Sequence, residues 1–406
     1  MTIGVGGKTK EEALASLHNM TGGATPIGVD EHRARIAKAQ AYMRANKIDA
    51  VYLNAGSSLL YFTGVHWHAS ERMVGAILPA SGHLEYIAPK FEEGTLNDFM
   101  AISGAVNCWE EHESPTQLFV KMLDRMCPSG TAKVGIDEST PFFLFDKMRR
   151  LGNRYEFIDA KEVTAHCRSR KSAAEIALMQ RAMNMTLEVQ KAAASILHEG
   201  ITTTEVTAFI EQAHRKVGAP GSIFCIVLFG PASAFPHGVK DPQILKANDV
   251  VLIDTGCRVH DYPSDITRTY VFGEPNDRQR KFWDIEKETQ GAAFAAAKLG
   301  VACGEPDRAA RRVLLKHGLG PDYKLPGTPH RTGHGIGLDG HEWPYLVGSD
   351  DTPLDVGMCF SNEPMICVPG EFGVRHEDHF HMTAIGPRWF TEPSFSIDDP
   401  FGLSAA

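Results

Sequence analysis

The sequence lacks long apolar runs. No stretch approaches the roughly 20 apolar residues that a membrane-spanning helix requires. The first twenty residues also contain no sustained apolar segment of the kind that is found in secretory signals. We therefore expect neither secretory export nor a membrane partner.

Regularly spaced cysteines are missing as well. The eight cysteines form no CxxC pair and no regular framework, so the sequence does not predict a disulfide-rich fold. Scattered cysteines of this kind are typical of reduced, mostly buried thiols in a cytosolic enzyme. We therefore predict that the protein is cytoplasmic.

Positive charge is scarce. The chain contains 41 Lys and Arg residues against 50 Asp and Glu residues, which gives a formal net charge of −9. The tightest basic cluster, RSRKS at residues 168–172, is short. This balance argues against a nucleic-acid partner. The glycine-containing strings GVGG and GHGIG stand outside any strand–GxGxxG–helix context, so we predict no nucleotide site either.

The order of polar and apolar segments predicts two domains of the α/β (α+β) class. Residues 1–28 are rich in Gly and Thr and are interpreted as an N-terminal arm. Residues 29–162 alternate amphipathic helices with short apolar strands, as in an α/β domain. Residues 163–406 are predicted to form the second domain. It begins with a linker near HCRSRKS, and a long amphipathic helix follows at 173–197. Thr202 and Glu205 predict a capping box at the start of the next helix.

Five residues of the second half form a complete set of oxygen and nitrogen metal ligands: Asp254, Asp265, His334, Glu363 and Glu377. Four carboxylates and one imidazole, without a thiolate, suit hard or borderline divalent ions such as Mn²⁺, Co²⁺ or Zn²⁺. The strand-like runs VVLIDTG and DITRTYVFG, and again MCFSNEPMICV and HEDHFHMTAI, are separated by turn residues. We therefore expect each pair of carboxylates to reach one face of a sheet.

The sequence argues against a purely structural role in which these carboxylates form ion pairs with Lys or Arg, because few cations beyond Arg268 and Arg375 stand near them. Without a metal ion their mutual repulsion would be costly. The residues themselves therefore favour a metal site.

The ligand order Asp, Asp, His, Glu, Glu, with a step of eleven positions between the two Asp residues, resembles the pita-bread metallopeptidases. This superfamily includes methionine aminopeptidase, aminopeptidase P, prolidase (Xaa-Pro dipeptidase) and creatinase. The step between the two Glu residues and the HGIGL…HEWP motif are most similar to short prokaryotic prolidases. The resemblance is strong over roughly residues 165–385 and weaker over 30–160.

The resemblance implies a creatinase-like N-terminal α/β domain followed by a pita-bread catalytic domain. It also implies two divalent ions, with Mn²⁺ expected first and Co²⁺ or Zn²⁺ as alternatives. In this family pattern Asp254 binds the first ion, His334 and Glu363 bind the second, and Asp265 and Glu377 bridge both. The implied reaction is hydrolysis of the Xaa-Pro bond of dipeptides or short peptides.

The same resemblance implies catalytic roles for His237, His341, Glu363 and Arg375, and a substrate contact for His330. Positioned imidazoles can donate hydrogen bonds or protons to the oxyanion that forms when a carbonyl is attacked. Glu363 is the expected proton shuttle, and Arg375 is expected to orient a bridging carboxylate. The remaining histidines of HEDHFH are interpreted as lying behind the ligands or at the surface: His376, His379 and His381.

Two positions depart from the family pattern. Prolidases usually carry an Arg after HEWP that binds the substrate's free carboxylate, whereas this chain has Tyr345. A tyrosine can donate a hydrogen bond to a carboxylate but cannot form an ion pair with it. Another cation, such as Arg331 or an Arg of a neighbouring subunit, would have to replace it. Aminopeptidase P members carry a Tyr where this chain has Cys367.

The segment TGVHWHASERM brings an aromatic residue and charged residues together in the N-terminal domain. Several family members close their site with an N-terminal loop of the second subunit, so we expect a homodimer in which Trp67 or Arg72 contacts the partner's substrate. The alternative is a cluster at a domain interface, with Trp67 buried for packing.

Three classes of function remain open from the sequence. The first is prolidase-like hydrolysis of a small peptide, with aminopeptidase P-type cleavage of longer Xaa-Pro peptides as its variant. The second is non-peptide chemistry on the same fold, such as an ectoine-type amide hydrolase or a lyase of small zwitterions. The third is a binding module that has abandoned catalysis, which the intact ligand set disfavours.

Overall fold

The computed structural model describes residues 2–128 and 131–405. The chain divides into two compact units, one formed by Pro26–Arg168 and the other by the residues up to Thr25 together with those from Ser169 onward. Helix α1 (Lys10–Ala15) belongs to the second unit, where Lys10 forms an ion pair of 3.3 Å with Glu205. The predicted arm is therefore packed on the second unit.

The unit Pro26–Arg168 is built around one mixed sheet of six strands. Its strands are β1 (Ala50–Asn54), β2 (Gly75–Pro79), β3 (Glu85–Pro89), β4 (Ala105–Trp109), β5 (Lys133–Ile136) and β6 (Glu156–Asp159). The strand order is β4-β3-β2-β1-β5-β6. The pairs β1–β2 and β2–β3 are antiparallel and the other three pairs are parallel.

Six helices accompany this sheet: α2 (Val29–Ala45), α3 (Ser57–Thr63), α4 (Glu93–Phe99), α5 (Pro115–Met126), α6 (Phe142–Leu151) and α7 (Lys161–Arg168). A 3₁₀ turn at Lys90–Glu92 precedes α4. The side chains of Tyr52, Ile77 and Phe119 are fully buried in the core between the sheet and α5. Helix α7 belongs to this unit because its apolar face packs within it. The unit therefore includes residues 163–168, with which the predicted second domain begins.

Four further helices belong to the second unit: α8 (Ala173–Ser195), α9 (Thr203–Lys216), α10 (Asp277–Ala296) and α11 (Gly304–Lys316). The predicted capping box of Thr202 and Glu205 is confirmed at the start of α9, and α8 has an equivalent one formed by Ser172 and Glu175. In each box the two side chains satisfy backbone N–H groups that have no partner inside the helix. These caps fix where the helices begin.

The strands of the second unit form antiparallel sheets. They are β7 (Phe224–Phe229), β8 (Val250–Gly256), β9 (Arg258–Val259), β10 (Tyr262–Pro263), β11 (Ile266–Val271), β12 (Gly333–Gly335), β13 (Glu342–Leu346), β14 (Cys359–Asn362), β15 (Met365–Val368), β16 (Phe372–Arg375), β17 (Asp378–Thr383) and β18 (Gly386–Trp389). One sheet has the order β11-β8-β7 and another β13-β12-β14-β17-β18, while β9 with β10 and β15 with β16 form two-stranded pairs. Short 3₁₀ helices occupy Gly230–Ala234 and Leu403–Ala405.

The predicted pairing of the two Asp-bearing runs is confirmed, since β8 and β11 are antiparallel neighbours. The Glu-bearing run 358–368 differs from the prediction because it is not one strand. Pro364 lacks an N–H group and interrupts the ladder, so the run divides into β14, which pairs with β17, and β15, which pairs with β16.

Over the described ranges, no helix combines the length and the apolar character that crossing a membrane would require. The mixed sheet with helices in one unit and the antiparallel sheets with long helices in the other confirm the predicted α/β (α+β) class.

Candidate metal centre

The two Asp residues are held by the pairing of β8 and β11. Asp254 lies within β8 opposite Thr267, and Asp265 directly precedes β11. Gly256 allows the connecting chain to close tightly, because a Cβ at this position would lie 1.9 Å from the carbonyl oxygen of Ser264. Both Asp side chains are buried. The hairpin therefore brings two carboxylates into the interior, as the sequence predicted.

The two Glu residues stand at strand ends. Glu363 directly follows β14, and its N–H donates to the Thr332 carbonyl at 2.8 Å. Glu377 directly precedes β17, and its N–H donates to the Thr267 carbonyl at 3.2 Å, which joins the two larger sheets. The Thr267 hydroxyl also donates to Glu377 Oε2 at 2.6 Å. Thr267 thus fixes Glu377 beside the Asp pair.

His334 on β12 completes the group. Its Nδ1 lies 3.0 Å from the Gly335 carbonyl, so this nitrogen carries the proton and Nε2 is free to bind a cation. Nε2 lies 3.1 Å from Glu363 Oε1 and 4.0 Å from Asp265 Oδ2. The five predicted ligands therefore converge from β8, β11, β12, β14 and β17 on one buried region.

Arg375 contacts this group at two points. Its NH2 donates to Asp254 Oδ2 at 2.7 Å, its Nε donates to the Thr267 hydroxyl at 3.0 Å, and its NH1 donates to the Pro236 carbonyl at 3.0 Å. Through Thr267 it is also linked to Glu377. Its predicted role of orienting a bridging carboxylate stays a prediction.

Several buried ligand atoms have no hydrogen-bond partner within the described chain: Asp254 Oδ1, Asp265 Oδ1 and Glu377 Oε1. Burial and the neighbouring carboxylates raise the pKa of Asp265 and of Glu377 well above their ordinary values. Crowded carboxylates of this kind strongly disfavour their charged forms unless cations are present. The donor set therefore fits two divalent cations, which would bind the unpaired oxygens.

Glu363 stands in a different environment. Burial raises its pKa, but the hydrogen bond with His334 and nearby positive charge, including that of Arg375, outweigh that effect, so the net shift is downward. Its side chain is 15% exposed and lines the cavity described next. Glu363 is therefore the predicted ligand that has direct access to a substrate.

A cavity of about 430 Å³ opens beside the ligands. It is lined by Pro236, His237, Pro329, His330, Arg331, His341, Glu363 and Arg375. All four predicted catalytic residues and His330 therefore line one cavity. A larger cavity of about 950 Å³ lies between α8 and the C-terminal segment, and none of the five predicted metal ligands lines it.

Burial favours the neutral form of two cavity histidines. It lowers the pKa of His341 to about 4, with the nearby His334 and Arg331 adding to the effect. Burial also lowers the pKa of His330, whose Nδ1 lies 2.7 Å from the Arg331 carbonyl. The His341 ring stacks on the His334 ring with centroids 3.7 Å apart. His237, the third cavity histidine, is exposed.

Arg331 is the cavity cation that has no acidic partner among the described residues. Its guanidinium lies 4.1 Å from the centroid of the Tyr345 ring, and its NH2 lies 3.3 Å from His341 Nδ1. The other cavity arginine, Arg375, is occupied by Asp254. Cys367 is buried on β15 and does not line the cavity.

The remaining histidines of HEDHFH differ in depth. His376 and His379 are fully buried, and His379 stands close to the predicted ligands, whereas His381 is half-buried against Phe390. Strand alternation is a signal for the position of His379, because it follows Glu377 by two positions and therefore lies on the same face of the chain.

Trp67 and Arg72 lie in the other unit. The Trp67 ring packs edge-on against Phe99 with centroids 6.2 Å apart, and Arg72 forms an ion pair of 3.0 Å with Glu111. Their predicted contact with a partner's substrate stays a prediction.

Comparison with known proteins agrees with this geometry. Residues 177–384, which contain all five predicted ligands, match the model of metallopeptidase family M24, and residues 35–170 match the creatinase/prolidase N-terminal domain. The chain belongs to metallopeptidase family M24. This M24 chain is 31% identical over 366 residues to an Xaa-Pro dipeptidase of Pyrococcus horikoshii, a match that covers 90% of this chain and 98% of the relative.

Solved M24 structures give the same result. A dipeptidase PepE from Mycobacterium ulcerans superposes with a TM-score of 0.84 at 30% identity, over 91% of this chain and 97% of that chain. A prolidase from Thermococcus sibiricus superposes with a TM-score of 0.81 at 30% identity, over 89% of this chain and 97% of that chain. The predicted creatinase-like and pita-bread architecture of this M24 peptidase is confirmed.

Proposed function

We propose that this M24 peptidase is a dinuclear metallo-exopeptidase that hydrolyses the Xaa-Pro bond of dipeptides. The observation that carries the proposal is the cavity beside the predicted ligands. It is lined by Glu363, which is one of the five ligands, by His237, and by Arg331, which has no acidic partner among the described residues. Relatives at about this level of identity over most of the chain are named Xaa-Pro dipeptidase, which supports the same reaction.

The proposed metal ligands are Asp254, Asp265, His334, Glu363 and Glu377. Two divalent ions, when bound, supply Lewis acidity to the scissile carbonyl and to the attacking water. Four carboxylates bind Mn²⁺ well, so we propose Mn²⁺ as the native ion. Arg375 keeps Asp254 in place through its 2.7 Å contact and limits the repulsion among the acids.

The cavity residues have distinct proposed roles. Glu363 accepts a proton from the attacking water and delivers it to the leaving proline nitrogen, since it alone of the ligands lines the cavity. His341 is neutral at pH 7 and donates a hydrogen bond to the developing oxyanion, an interaction that His237, which lines the same cavity, supports. His330 contacts the substrate beside them.

Arg331 is proposed to bind the free carboxylate of the C-terminal proline. Its guanidinium has no acidic partner within the described chain and is held against the Tyr345 ring at 4.1 Å. A planar guanidinium can donate two parallel hydrogen bonds to a carboxylate. Tyr345 occupies the position where prolidases usually carry the carboxylate-binding Arg, and it then supports Arg331, which takes over that role. The resulting preference is for dipeptides over longer peptides.

We also propose that the enzyme is a cytoplasmic homodimer. The cysteines are all unpaired, and six of the eight are buried, which suits a reducing compartment. Trp67 and Arg72 are the residues proposed to reach the partner subunit's substrate. Sedimentation analysis tests the dimer, and a monomeric active enzyme would refute it.

The test of the proposed function is hydrolysis of Ala-Pro or Leu-Pro beside a tripeptide such as Ala-Pro-Ala, with metal-stripped enzyme given Mn²⁺. We expect turnover of the dipeptides and much slower turnover of the tripeptide. A Glu363→Gln variant provides the control for a contaminating peptidase, because it should lose activity under the same conditions.

Other outcomes would redirect the assignment. Turnover of the tripeptide alone would identify an aminopeptidase P-type enzyme and would refute the proposed role of Arg331. Failure on both peptides by an enzyme that has bound its metal would refute the peptidase proposal. The search would then move to small amides and zwitterions of the ectoine type.

A further inference from the structure

The position of His379 is unusual for a structural residue. It lies on β17 opposite Ser361 of β14, and its side chain is 0% exposed. Neither ring nitrogen makes a hydrogen bond of standard geometry within the part of the chain that the structure describes, and the polar group that acts on the ring is the backbone of Asp265, one of the predicted ligands. A buried polar group normally has a well-formed hydrogen bond, so an imidazole without one calls for an explanation.

Strand geometry directs this imidazole toward the metal ligands. Successive side chains alternate between the faces of a strand, so residues 377, 379 and 381 share one face. Asp378 points to the other face, where it forms an ion pair of 2.7 Å with Arg268. The His379 ring stands edge-on to the His334 ring with centroids 6.0 Å apart.

The resulting group has the dimensions of a metal site. One ligand atom each from Asp265, His334, Glu377 and His379 can be chosen so that all four lie within 4.8 Å of one another. Asp254 and Glu363 are outside this group. The second imidazole therefore stands beside His334 and the two carboxylates that are proposed to bridge the ions, Asp265 and Glu377.

We propose that His379 is a sixth protein ligand of the centre and binds the ion on the His334 side through a ring nitrogen. This inference rests on the dinuclear centre of the proposed function and adds a residue to it. The neighbouring histidines do not share the arrangement. The His376 ring packs on Trp283 with centroids 4.4 Å apart, and His381 packs on Phe390 at 5.0 Å.

A second imidazole changes which ion this side prefers. Carboxylate oxygens suit Mn²⁺, whereas imidazole nitrogen favours borderline ions such as Co²⁺ and Zn²⁺. The two sides of the centre then differ, with a carboxylate-dominated side at Asp254 and a nitrogen-rich side at His334 and His379. We expect the nitrogen-rich side to prefer Co²⁺ or Zn²⁺ over Mn²⁺ more strongly than the Asp254 side does, whichever ion the cell supplies.

The test counts the imidazoles that bind metal. Wild-type enzyme is loaded with Co²⁺, and its proton NMR spectrum is searched for hyperfine-shifted imidazole N–H signals, identified by their absence after loading in ²H₂O. We expect two such signals in the wild type and one in His379→Gln. His381→Gln is the matched control, since it changes a histidine two positions further along the same strand, and it should keep both signals.

A metal titration gives an independent measurement. His379→Gln should weaken one of the two Co²⁺ sites by about 10- to 100-fold and should reduce the preference of that site for Co²⁺ over Mn²⁺. Thermal unfolding of the metal-free variants shows whether each substituted protein is folded. If His379→Gln does not fold, the wild-type spectrum alone decides the question.

The outcomes separate this inference from the proposed function. A single imidazole signal in the wild type would overturn the role of His379 even if Ala-Pro is hydrolysed. Two signals, with one lost in His379→Gln, would support it even if no Xaa-Pro peptide is cleaved. A wild-type protein that binds no Co²⁺ would overturn both the centre and the sixth ligand.

Discussion

The two strand pairs that carry the carboxylates hold them in different ways. Asp254 lies inside a regular antiparallel ladder and is paired with Arg375 at 2.7 Å. Glu363 lies where Pro364 breaks a strand, contacts His334 at 3.1 Å and lines the cavity. Asp254 does not line the cavity. A regular ladder thus keeps one carboxylate away from the cavity, whereas an interrupted strand brings another to its wall.

The largest expected effects come from removing one carboxylate on each side. Glu363→Gln should lower kcat by about 10²–10⁴-fold, because it removes the proposed proton shuttle, yet it should keep the ion held by Asp254. Asp265→Asn should release both ions, because Asp265 is a proposed bridge. Metal content by plasma emission and steady-state kinetics measure both effects. If Glu363→Gln lost both ions while Asp265→Asn kept them, the proposed difference between the two sides would be contradicted.

Substrate recognition belongs to the open side. Arg331→Ala should raise KM for Ala-Pro by about 10- to 100-fold with a smaller change in kcat, since the proposed contact forms with the free carboxylate in the ground state as well. Arg331→Lys should recover part of the loss, because it restores the charge without the planar fork. Ala-Pro amide, which lacks the carboxylate, is the control and should be insensitive to both substitutions. Equal losses on both substrates would refute carboxylate recognition.

A matched pair of hydroxyls compares the supports behind each side. Thr267 donates to Glu377 at 2.6 Å and accepts from Arg375, whereas Ser361 donates to Glu363 at 3.1 Å. Thr267→Val should reduce metal affinity by about 10-fold, because it leaves two buried charged groups without this contact. Ser361→Ala should reduce metal affinity by less. Calorimetric titration of both variants with Mn²⁺ measures the two losses. A larger loss in Ser361→Ala would show that the support behind Glu363 matters more than the support behind Glu377.

The pH dependence of stability gives the smallest and most distinctive effect. Burial raises the pKa of Asp265, so in metal-free protein its stabilising contribution is complete below the unfolded pKa and is lost as pH rises through the folded pKa. The pKa of Glu363 is lowered, so its contribution is lost as pH falls. The contributions of Asp265 and Glu363 to stability should therefore oppose each other as pH changes.

Denaturant unfolding of the metal-free protein from about pH 3 to mildly alkaline pH measures this opposition, because the Glu363 contribution is lost only below its unfolded pKa of about 4.3 and the Asp265 contribution only above its unfolded pKa of about 3.9. Each proton difference contributes about 1.4 kcal/mol per pH unit. Asp265→Asn should make stability rise more steeply, or fall less steeply, with increasing pH, and Glu363→Gln should have the opposite effect. Changes of the same sign in both variants would contradict the assignment of the two environments.

Much of the centre could be predicted from the sequence because it depends on local rules. The runs around Asp254 and Asp265 are apolar and rich in β-branched residues, and a polar, Pro-containing turn separates them, which predicts a hairpin. The order and spacing of the five ligands predicted the family. The capping residues Thr202 and Glu205 predicted where α9 begins.

Other features depend on tertiary contacts that no local rule contains. The direct contact of Arg375 with Asp254 joins residues 121 positions apart, and the stacking of Arg331 on Tyr345 depends on how two strands are paired. The burial of His379 follows from the pairing of β14 with β17. The sequence predicted which residues would be near the metal ions but not which of them contact one another.

The contact between Thr267 and Glu377 has a further consequence. It joins residues 110 positions apart, so the two halves of the ligand set meet only after both sheets have formed. Metal ions that bind the native centre and not the unfolded chain stabilise the protein by mass action, by about 2.7 kcal/mol when free metal is 100 times the Kd. Metal supply during synthesis would then govern how much active enzyme accumulates, and a cell short of the ion would lose the protein to proteolysis before it lost the activity of each surviving molecule.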